Sequence, residues 1–232
     1  MKLPDQRWYI ASPNPDQVKK LVAETGLSPL LAQVILNRGI DSPQLAQVYI
    51  NPETENLPDP LTEFPDLFPS IELLKEAIET GEKIAICGDY DADGMTSTSL
   101  LLRAFNHFGG DAYYEIPSRM KDGYGINERI VEKFAEEGVG VVLTVDNGIS
   151  AYNPIKLAVE LGLTVIITDH HDLPEKLPPA DAILNPKLLP IQSPYRGLAG
   201  VGVAYILAVT LAEALQKSDG IIDSLLELFT LG

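Results

Sequence analysis

From Ser70 onward, short apolar runs rich in β-branched residues alternate with helical patterns, and this alternation limits the possible folds more than any other feature of the chain. Continuous apolar strands separated by helices are typical of a parallel sheet that is covered on both faces. We therefore predict an α/β fold, with a parallel β-sheet and helices on both of its faces. The predicted strands are residues 83–87, 112–116, 139–145, 163–168 and 182–184. The predicted helices are residues 70–79, before the first strand, and residues 96–108, 127–137 and 154–161 between the strands.

The first part of the chain has a different pattern and predicts a small helical segment. Short helical patterns come first, and the stretch 51–69 that follows them contains five prolines. Because proline lacks a backbone N–H and interrupts helices, this density predicts an extended connector. We divide the chain into a helical segment with its connector, residues 1–66, and an α/β domain, residues 67–232. The predicted helices of the first segment are residues 16–24, 28–37 and 42–49.

The chain is strongly acidic, with 33 Asp and Glu residues against 17 Lys and Arg residues and a formal net charge of −16. A protein that coats DNA non-specifically needs a basic surface for the phosphate backbone, so the charge argues against that class. The charge does not exclude nucleic acid as a substrate, because bound divalent cations reverse the local charge of a carboxylate-rich site.

The single cysteine and the distribution of apolar residues indicate the compartment. Cys87 has no second cysteine to pair with inside the chain, which suits a reducing environment. The longest apolar stretch, residues 198–212, is shorter than the ~20 residues of a membrane-spanning helix. The N-terminus lacks a hydrophobic signal core. We therefore expect a cytoplasmic protein with no membrane partner.

Acidic and imidazole side chains follow three of the predicted strands, at the point where each strand ends. Because the carboxyl ends of parallel strands meet at one edge of a sheet, we expect these side chains to lie close together. If the first of these segments is extended, its aspartates project to one side. The side chains are Asp89, Asp91 and Asp93 after the first strand, Asp146 and Asn147 after the third, and Asp169, His170 and His171 after the fourth.

This constellation predicts a metal site, centred on Asp91, Asp93, Asp146 and His170. Carboxylates packed closely repel one another unless they are protonated or bridged by cations. Oxygen ligands with one or two imidazoles suit Mn²⁺ well and Mg²⁺ less well. A carboxylate shared between two ions would build a two-metal site with the ions ~3.5–4 Å apart, as used in phosphoester hydrolysis. For Cys87, at the end of the first strand, a buried apolar thiol is favoured over an edge metal ligand.

Each motif alone has a simpler interpretation, but the occurrence of all three motifs after predicted parallel strands favours a metal site. A lone D-x-D is usually a solvated turn, D-N-G is a turn signal, and paired histidines are often surface residues. A dinucleotide-binding site is excluded because aspartates stand where a phosphate would lie.

The motifs GDYDADG, TVDNGIS and TDHH, in this order, resemble the first three motifs of the DHH phosphoesterase superfamily. The segments IPSRMKDGYGIN, ILNPK and LAGVGVAY are similar to its branch of single-strand-specific 5′→3′ exonucleases. The resemblance implies an enzyme of DNA repair and recombination, with single-stranded DNA as its substrate and a single-strand-binding protein as a candidate partner. Two alternatives stay open, namely hydrolysis of small cyclic or linear dinucleotides and a non-catalytic replication scaffold.

The resemblance also implies a role for each residue of the constellation. Asp91 and Asp93 would bind metal, Asp146 would bridge two ions of Mn²⁺ or Mg²⁺, and His170 would bind the second ion. His171 would contact or polarise the scissile phosphate, with Asp169 orienting the imidazoles. Some relatives have a histidine ligand where this chain has Cys87. The residues left without a defined role are Asp89, Cys87 and Asn147.

Two basic residues are candidates to contact substrate phosphate. Arg119 and Lys121 lie near Tyr124 in the predicted loop before residue 127. The alternative is an exposed basic loop without a role in binding.

The C-terminal part of the chain contains the stretch LAGVGVAYILA, which favours a helix packed through small residues over a phosphate loop. Members of the superfamily continue into a fourth motif with another metal-binding aspartate and then an associated domain. We therefore expect this chain to be part of a longer protein and full activity to require the rest.

Overall fold

In the computed structural model, which describes residues 7–12, 14–118, 120 and 123–232, the chain divides into two compact units between Leu57 and Pro58. The first unit contains the three predicted helices, α1 (Pro15–Thr25), α2 (Pro29–Asn37) and α3 (Pro43–Ile50). Each begins with a proline, whose missing N–H costs nothing at that position, after an Asn or Ser whose side chain accepts a hydrogen bond from a backbone N–H of the first turn. A small apolar core holds them together, formed by Leu21, Ala32, Ile35 and Ala46.

The stretch 51–69 is not the extended connector that its prolines predicted. Pro52 begins a short 3₁₀ turn and Pro60 begins the one-turn helix α4 (Pro60–Glu63), again at the position that tolerates proline. Phe64 and Leu67 are buried in the core of the second unit. The second unit therefore starts at Pro58, whereas the sequence placed the division at residue 66.

The second unit is built on a five-stranded parallel sheet, as predicted. The strands are β1 (Lys83–Cys87), β2 (Asp111–Glu115), β3 (Val141–Val145), β4 (Thr164–Thr168) and β5 (Ala182–Leu184). Their order in the sheet, which the sequence did not predict, is β2-β1-β3-β4-β5. From β1 the chain crosses to β2 on one side and then returns to β3 on the other. The strand order thus reverses between β1 and β3, and ligands of such sheets bind beyond the carboxyl ends at this point.

Helices cover both faces of the sheet. They are α5 (Leu67–Thr80), α6 (Ala92–Phe108), α7 (Glu128–Glu136), α8 (Tyr152–Glu160), α9 (Gly200–Ala214) and α10 (Ile222–Leu231). Alternate strand residues point to the two helical layers. Leu143 packs into the layer of α5, α6, α9 and α10, whereas its neighbour Val142 packs against α7 and α8. Helix α6 starts four residues before its predicted start, and α10 was not predicted. Across the described ranges, no helix is both long and apolar enough to cross a bilayer.

Candidate metal centre

The side chains that follow β1, β3 and β4 converge at the carboxyl edge of the sheet, and Asp146 lies at their centre. Ligand atoms of Asp89, Asp91 and Asp146 lie within 4.8 Å of one another. Ligand atoms of Asp146, His170 and His171 form a second group within the same distance. Asp146 belongs to both groups, so two cation sites that share this carboxylate fit the donor set.

The segment after β1 is a helix start and not the extended strand that the sequence suggested. Asp91 is the N-cap of α6, and its carboxylate accepts a hydrogen bond from the backbone N–H of Gly94 at 3.0 Å. Gly94 lies so close to Asp89 that an added Cβ would be 2.6 Å from the Asp89 Cβ. The chain therefore turns at once into the helix, and Asp91 and Asp93 point to different neighbours.

Asp93 joins the metal centre to the N-terminus of α9. Its carboxylate accepts hydrogen bonds from the backbone N–H groups of Gly200 at 2.8 Å and Val201 at 2.7 Å. Asp93 Oδ2 also lies 3.4 Å from His170 Nε2. A Cβ on Gly200 would stand 2.9 Å from both Cβ and Oδ1 of Asp146, so only glycine lets α9 approach this closely. Sequence reasoning missed this contact.

The backbone conformation and the burial of Asp146 are both unfavourable for an isolated carboxylate. Its φ of 59° is in the left-handed region, which non-glycine residues rarely adopt and which marks functional sites. The side chain is buried, and among the described residues no hydrogen bond of good geometry reaches its Oδ1, although His170 Nε2 lies 3.0 Å away. Burial raises the pKa of Asp146 to about 6, and the nearby Asp93 carboxylate adds to the increase while His170 opposes it.

Asp169 orients one of the two histidines. Its buried Oδ1 accepts hydrogen bonds from the backbone N–H groups of His170 at 2.7 Å and His171 at 3.0 Å, and it lies 2.7 Å from His171 Nδ1. Its Oδ2 accepts a hydrogen bond from Ile149 N–H at 2.9 Å. Because a carboxylate can only accept, Nδ1 of His171 carries the proton and Nε2 presents its lone pair.

His170 has a different environment. Its ring faces Asp146 and Asp93 rather than Asp169. The contact with the Asp146 carboxylate raises the pKa of His170 above its ordinary value, against the opposing effect of burial. An imidazole between two carboxylates is a chemically suitable ligand for Mn²⁺.

Asn147 and Cys87 serve the framework of the site. The buried Asn147 amide donates hydrogen bonds to the backbone carbonyl oxygens of Cys87 at 3.0 Å and Val145 at 2.9 Å, and its oxygen accepts one from Ile126 N–H at 3.1 Å. It thereby ties together the ends of β1 and β3 and the loop before α7. Cys87 is fully buried in the apolar layer of α7 and α8, and this burial raises the pKa of its thiol.

We expect Asn147→Ala to destabilise the protein by about 2–3 kcal/mol, because it leaves two carbonyls and one N–H of the backbone without their buried partner. For a chain of this length the melting temperature should fall by roughly 4–10 °C. Thermal unfolding followed by circular dichroism measures the change. Asn153→Ala, at an exposed position of α8, is the matched control and should unfold like the parent. Equal melting temperatures for the two variants would refute the bracing role.

Tyr124 is a site residue whose role the sequence did not reveal. Its hydroxyl donates a hydrogen bond to the backbone carbonyl of Asp146 at 2.9 Å and lies 3.3 Å from His171 Nε2. Its ring stands edge-on to those of Tyr90 and His171. Burial and the surrounding carboxylates raise the pKa of Tyr124, so its hydroxyl stays neutral. An aromatic residue in the loop after β2 was the available signal.

The predicted phosphate contacts Arg119 and Lys121 lie outside the described residues.

Comparison with known proteins identifies a matching family and shows how much of a relative's length this chain spans. The model of the "DHH family, N-terminal domain" matches residues 83–232. The single-stranded-DNA-specific exonuclease RecJ of Bacillus subtilis is 40% identical over 226 residues, which are 97% of this chain and 28% of that protein. The chain therefore spans a little over a quarter of the length of this relative.

Two solved structures of RecJ from Thermus thermophilus share the fold. The complex with Mn²⁺ matches with a TM-score of 0.70 and 30% identity, covering 89% of this chain and 28% of that one. The complex with Mg²⁺ matches with a TM-score of 0.55 and 27% identity, covering 89% and 25%.

Proposed function

This chain belongs to the DHH family, and on that premise we propose that it forms the metal-binding part of a nuclease that hydrolyses single-stranded DNA from its 5′ end, releasing 5′-mononucleotides. The observation that carries the proposal is the position of Asp146, whose carboxylate lies in both groups of metal-ligating side chains. The RecJ relative acts on single-stranded DNA by its name, and the RecJ structures hold Mn²⁺ or Mg²⁺. DNA repair and recombination are the processes that such an activity would serve, and a single-strand-binding protein stays a predicted partner.

In the proposed centre, two ions of Mn²⁺, or Mg²⁺, would share the carboxylate of Asp146. Asp91, with Asp89 beside it, would hold the first ion, and Asp93 with His170 would hold the second. Such ions lower the pKa of bound water and neutralise charge on a phosphodiester. The chain itself supplies a rigid frame, because Asp91 caps α6 and Asp93 is fixed by the N-terminus of α9.

The proposed role of His171 is to contact the phosphodiester. Asp169 holds the proton of its Nδ1, so Nε2 keeps its lone pair beside the Tyr124 hydroxyl. A ring fixed in this tautomer can accept a proton at Nε2 and then donate a hydrogen bond to a phosphate oxygen. The Tyr124 hydroxyl donates its one proton to the backbone carbonyl of Asp146, so toward His171 its oxygen can only accept, and it would help to position the ring.

Hydrolysis assays compare the proposal with its two alternatives. The chain and a chimera, in which it replaces the aligned segment of Bacillus subtilis RecJ, are incubated with Mn²⁺. The substrates are a 5′-labelled single strand, the same sequence as a duplex, and a linear dinucleotide. We expect 5′-mononucleotides from the single strand in the chimera and none in its Asp93→Ala variant. Preferential cleavage of the dinucleotide would favour the small-substrate alternative, and a chimera that binds Mn²⁺ without cleaving anything would favour the scaffold.

Metal binding should weaken in acid. Burial raises the pKa of Asp146 to about 6, so this carboxylate takes up a proton as the pH falls through that value. The Asp146 carboxylate raises the pKa of His170 above its ordinary value, so this imidazole takes up its proton at a higher pH than a free histidine does. Mn²⁺ must displace these protons, and each displaced proton costs about tenfold in affinity per pH unit below its pKa. We expect calorimetry to give an affinity for Mn²⁺ at about pH 5.5 that is at least tenfold lower than at about pH 7.5. An affinity independent of pH across this range would contradict the assignment of these ligands.

A further inference from the structure

A cavity of about 190 Å³ lies beside the metal centre. One wall is the loop Tyr124, Gly125 and Ile126 before α7, and the opposite wall is the segment after β3 that leads into α8. His171 and Asp169 also line the cavity. The residues of the opposite wall are Gly148, Ile149, Ser150, Ala151 and Pro154.

Both walls are fixed to the sheet by buried hydrogen bonds. Asn147 accepts a hydrogen bond from Ile126 N–H, and Gly125, with a φ of 69°, lies against its side chain. Asp169 accepts a hydrogen bond from Ile149 N–H on the other wall. The cavity is therefore preformed, which lowers the entropic cost of binding a ligand in it.

We propose that this cavity receives the nucleobase of the nucleotide whose 5′-phosphate lies at the metal centre. The inference rests on the proposed function and names the part of the substrate that the site holds. His171 connects the cavity to the metal centre, because its ring borders the cavity while its Nδ1 lies 3.9 Å from Oδ1 of Asp146. One nucleotide can therefore reach both places.

The lining suits a planar, mostly apolar group. Ile126 and Ile149 are buried, and the rings of Tyr124 and His171 stand edge-on with centroids 5.8 Å apart. Aromatic and apolar side chains hold bases without reading their sequence, because every base has an apolar face. The lining also contains two uncharged hydroxyl groups, those of Tyr124 and Ser150. A net charge of −16 gives the sugar–phosphate backbone little general attraction, so base contacts would add needed affinity.

The test distinguishes the contribution of the base to the binding affinity from that of the sugar phosphate. Binding of deoxyadenosine 5′-monophosphate and of 2-deoxyribose 5-phosphate, which lacks only the base, is measured by calorimetry on the Mn²⁺-loaded chain. Ser150→Trp places an indole at the exposed mouth of the cavity. Asn153→Trp is the matched control, because Asn153 is also exposed but lines a different groove with Glu128 and Lys156.

We expect the nucleotide to bind about tenfold more tightly than the sugar phosphate in the parent and in Asn153→Trp. In Ser150→Trp the two ligands should bind equally, with the affinity for the sugar phosphate unchanged. Equal affinities for the two ligands in the parent would overturn this inference and leave the proposed function standing. The same holds if the nucleotide still binds more tightly than the sugar phosphate in Ser150→Trp. Failure of the sugar phosphate to bind the Mn²⁺-loaded parent would overturn the proposed function and the inference with it.

A second measurement does not depend on the variants. With Mg²⁺ in place of Mn²⁺, nuclear Overhauser contacts from the adenine protons to the methyl groups of Ile126 and Ile149 are expected. Contacts to other methyl groups only would place the base elsewhere and overturn the inference.

Discussion

Asp146→Asn is expected to abolish Mn²⁺ binding and, at the same time, to make the metal-free protein more stable. The carboxylate belongs to both ligand groups, so its loss removes a donor from each proposed ion. Changes in groups that only support metal ligands cost about 10–100-fold in affinity, and the loss of a shared ligand should cost at least about 100-fold.

The gain in stability follows from the state of Asp146 without metal. The buried side chain has an oxygen with no well-aligned hydrogen bond among the described residues, and burial opposes its charge. Asparagine removes the charge, keeps the shape and tolerates the left-handed backbone. We expect about 1 kcal/mol of added stability, or roughly 2–4 °C in melting temperature.

Calorimetry with Mn²⁺ and thermal unfolding in a chelator measure the two effects of Asp146→Asn. Asp219→Asn is the control, because it removes the same charge from an exposed loop position and should change neither quantity. A variant that binds Mn²⁺ like the parent would refute the shared-ligand assignment. A variant that binds no Mn²⁺ but melts at a lower temperature would show that the metal-free carboxylate stabilises the fold.

The sheet could be predicted from the sequence because its signals are local. β1 and β5 have the predicted bounds, since each is a short apolar run next to charged or turn-forming residues. Asp91 at the start of α6 was misjudged because Asp and Gly favour turns and helix caps equally, and only packing against Asp89 decides between them. The amphipathic α10 packs against α6 and α9, and the motifs contained no sign of it.

The sequence was enough to predict which residues form the candidate site, but not the hydrogen bonds and contacts that join them. The rule that parallel strands end at one edge was enough to bring Asp146, His170 and the aspartates after β1 together. The clamp between Asp93 and Gly200 joins residues 107 positions apart, and no local pattern specifies it. The proximity of Tyr124 to His171 likewise depends on a loop whose path is set by Asn147.

In the chimera with Bacillus subtilis RecJ, Asp169→Asn is expected to lower the proposed single-strand hydrolysis by about 100- to 10,000-fold while changing Mn²⁺ affinity far less. Asp169 Oδ1 is the acceptor that keeps the proton on Nδ1 of His171, and an amide can present a donor there instead. In the Ser-His-Asp proteases the same change at the residue that orients a histidine costs about 10⁴ in kcat, because the wrong tautomer results.

Because Asp169 would act through His171, the two residues should not contribute independently. In the chimera, Asp169→Asn combined with His171→Ala should hydrolyse single strands no more slowly than His171→Ala alone. The ¹⁵N shifts of His171 should report a change of tautomer in Asp169→Asn, which a merely structural defect would not produce. Additive losses in the double variant would mean that Asp169 supports the fold through the Ile149 and His170 N–H groups and does not set the state of His171.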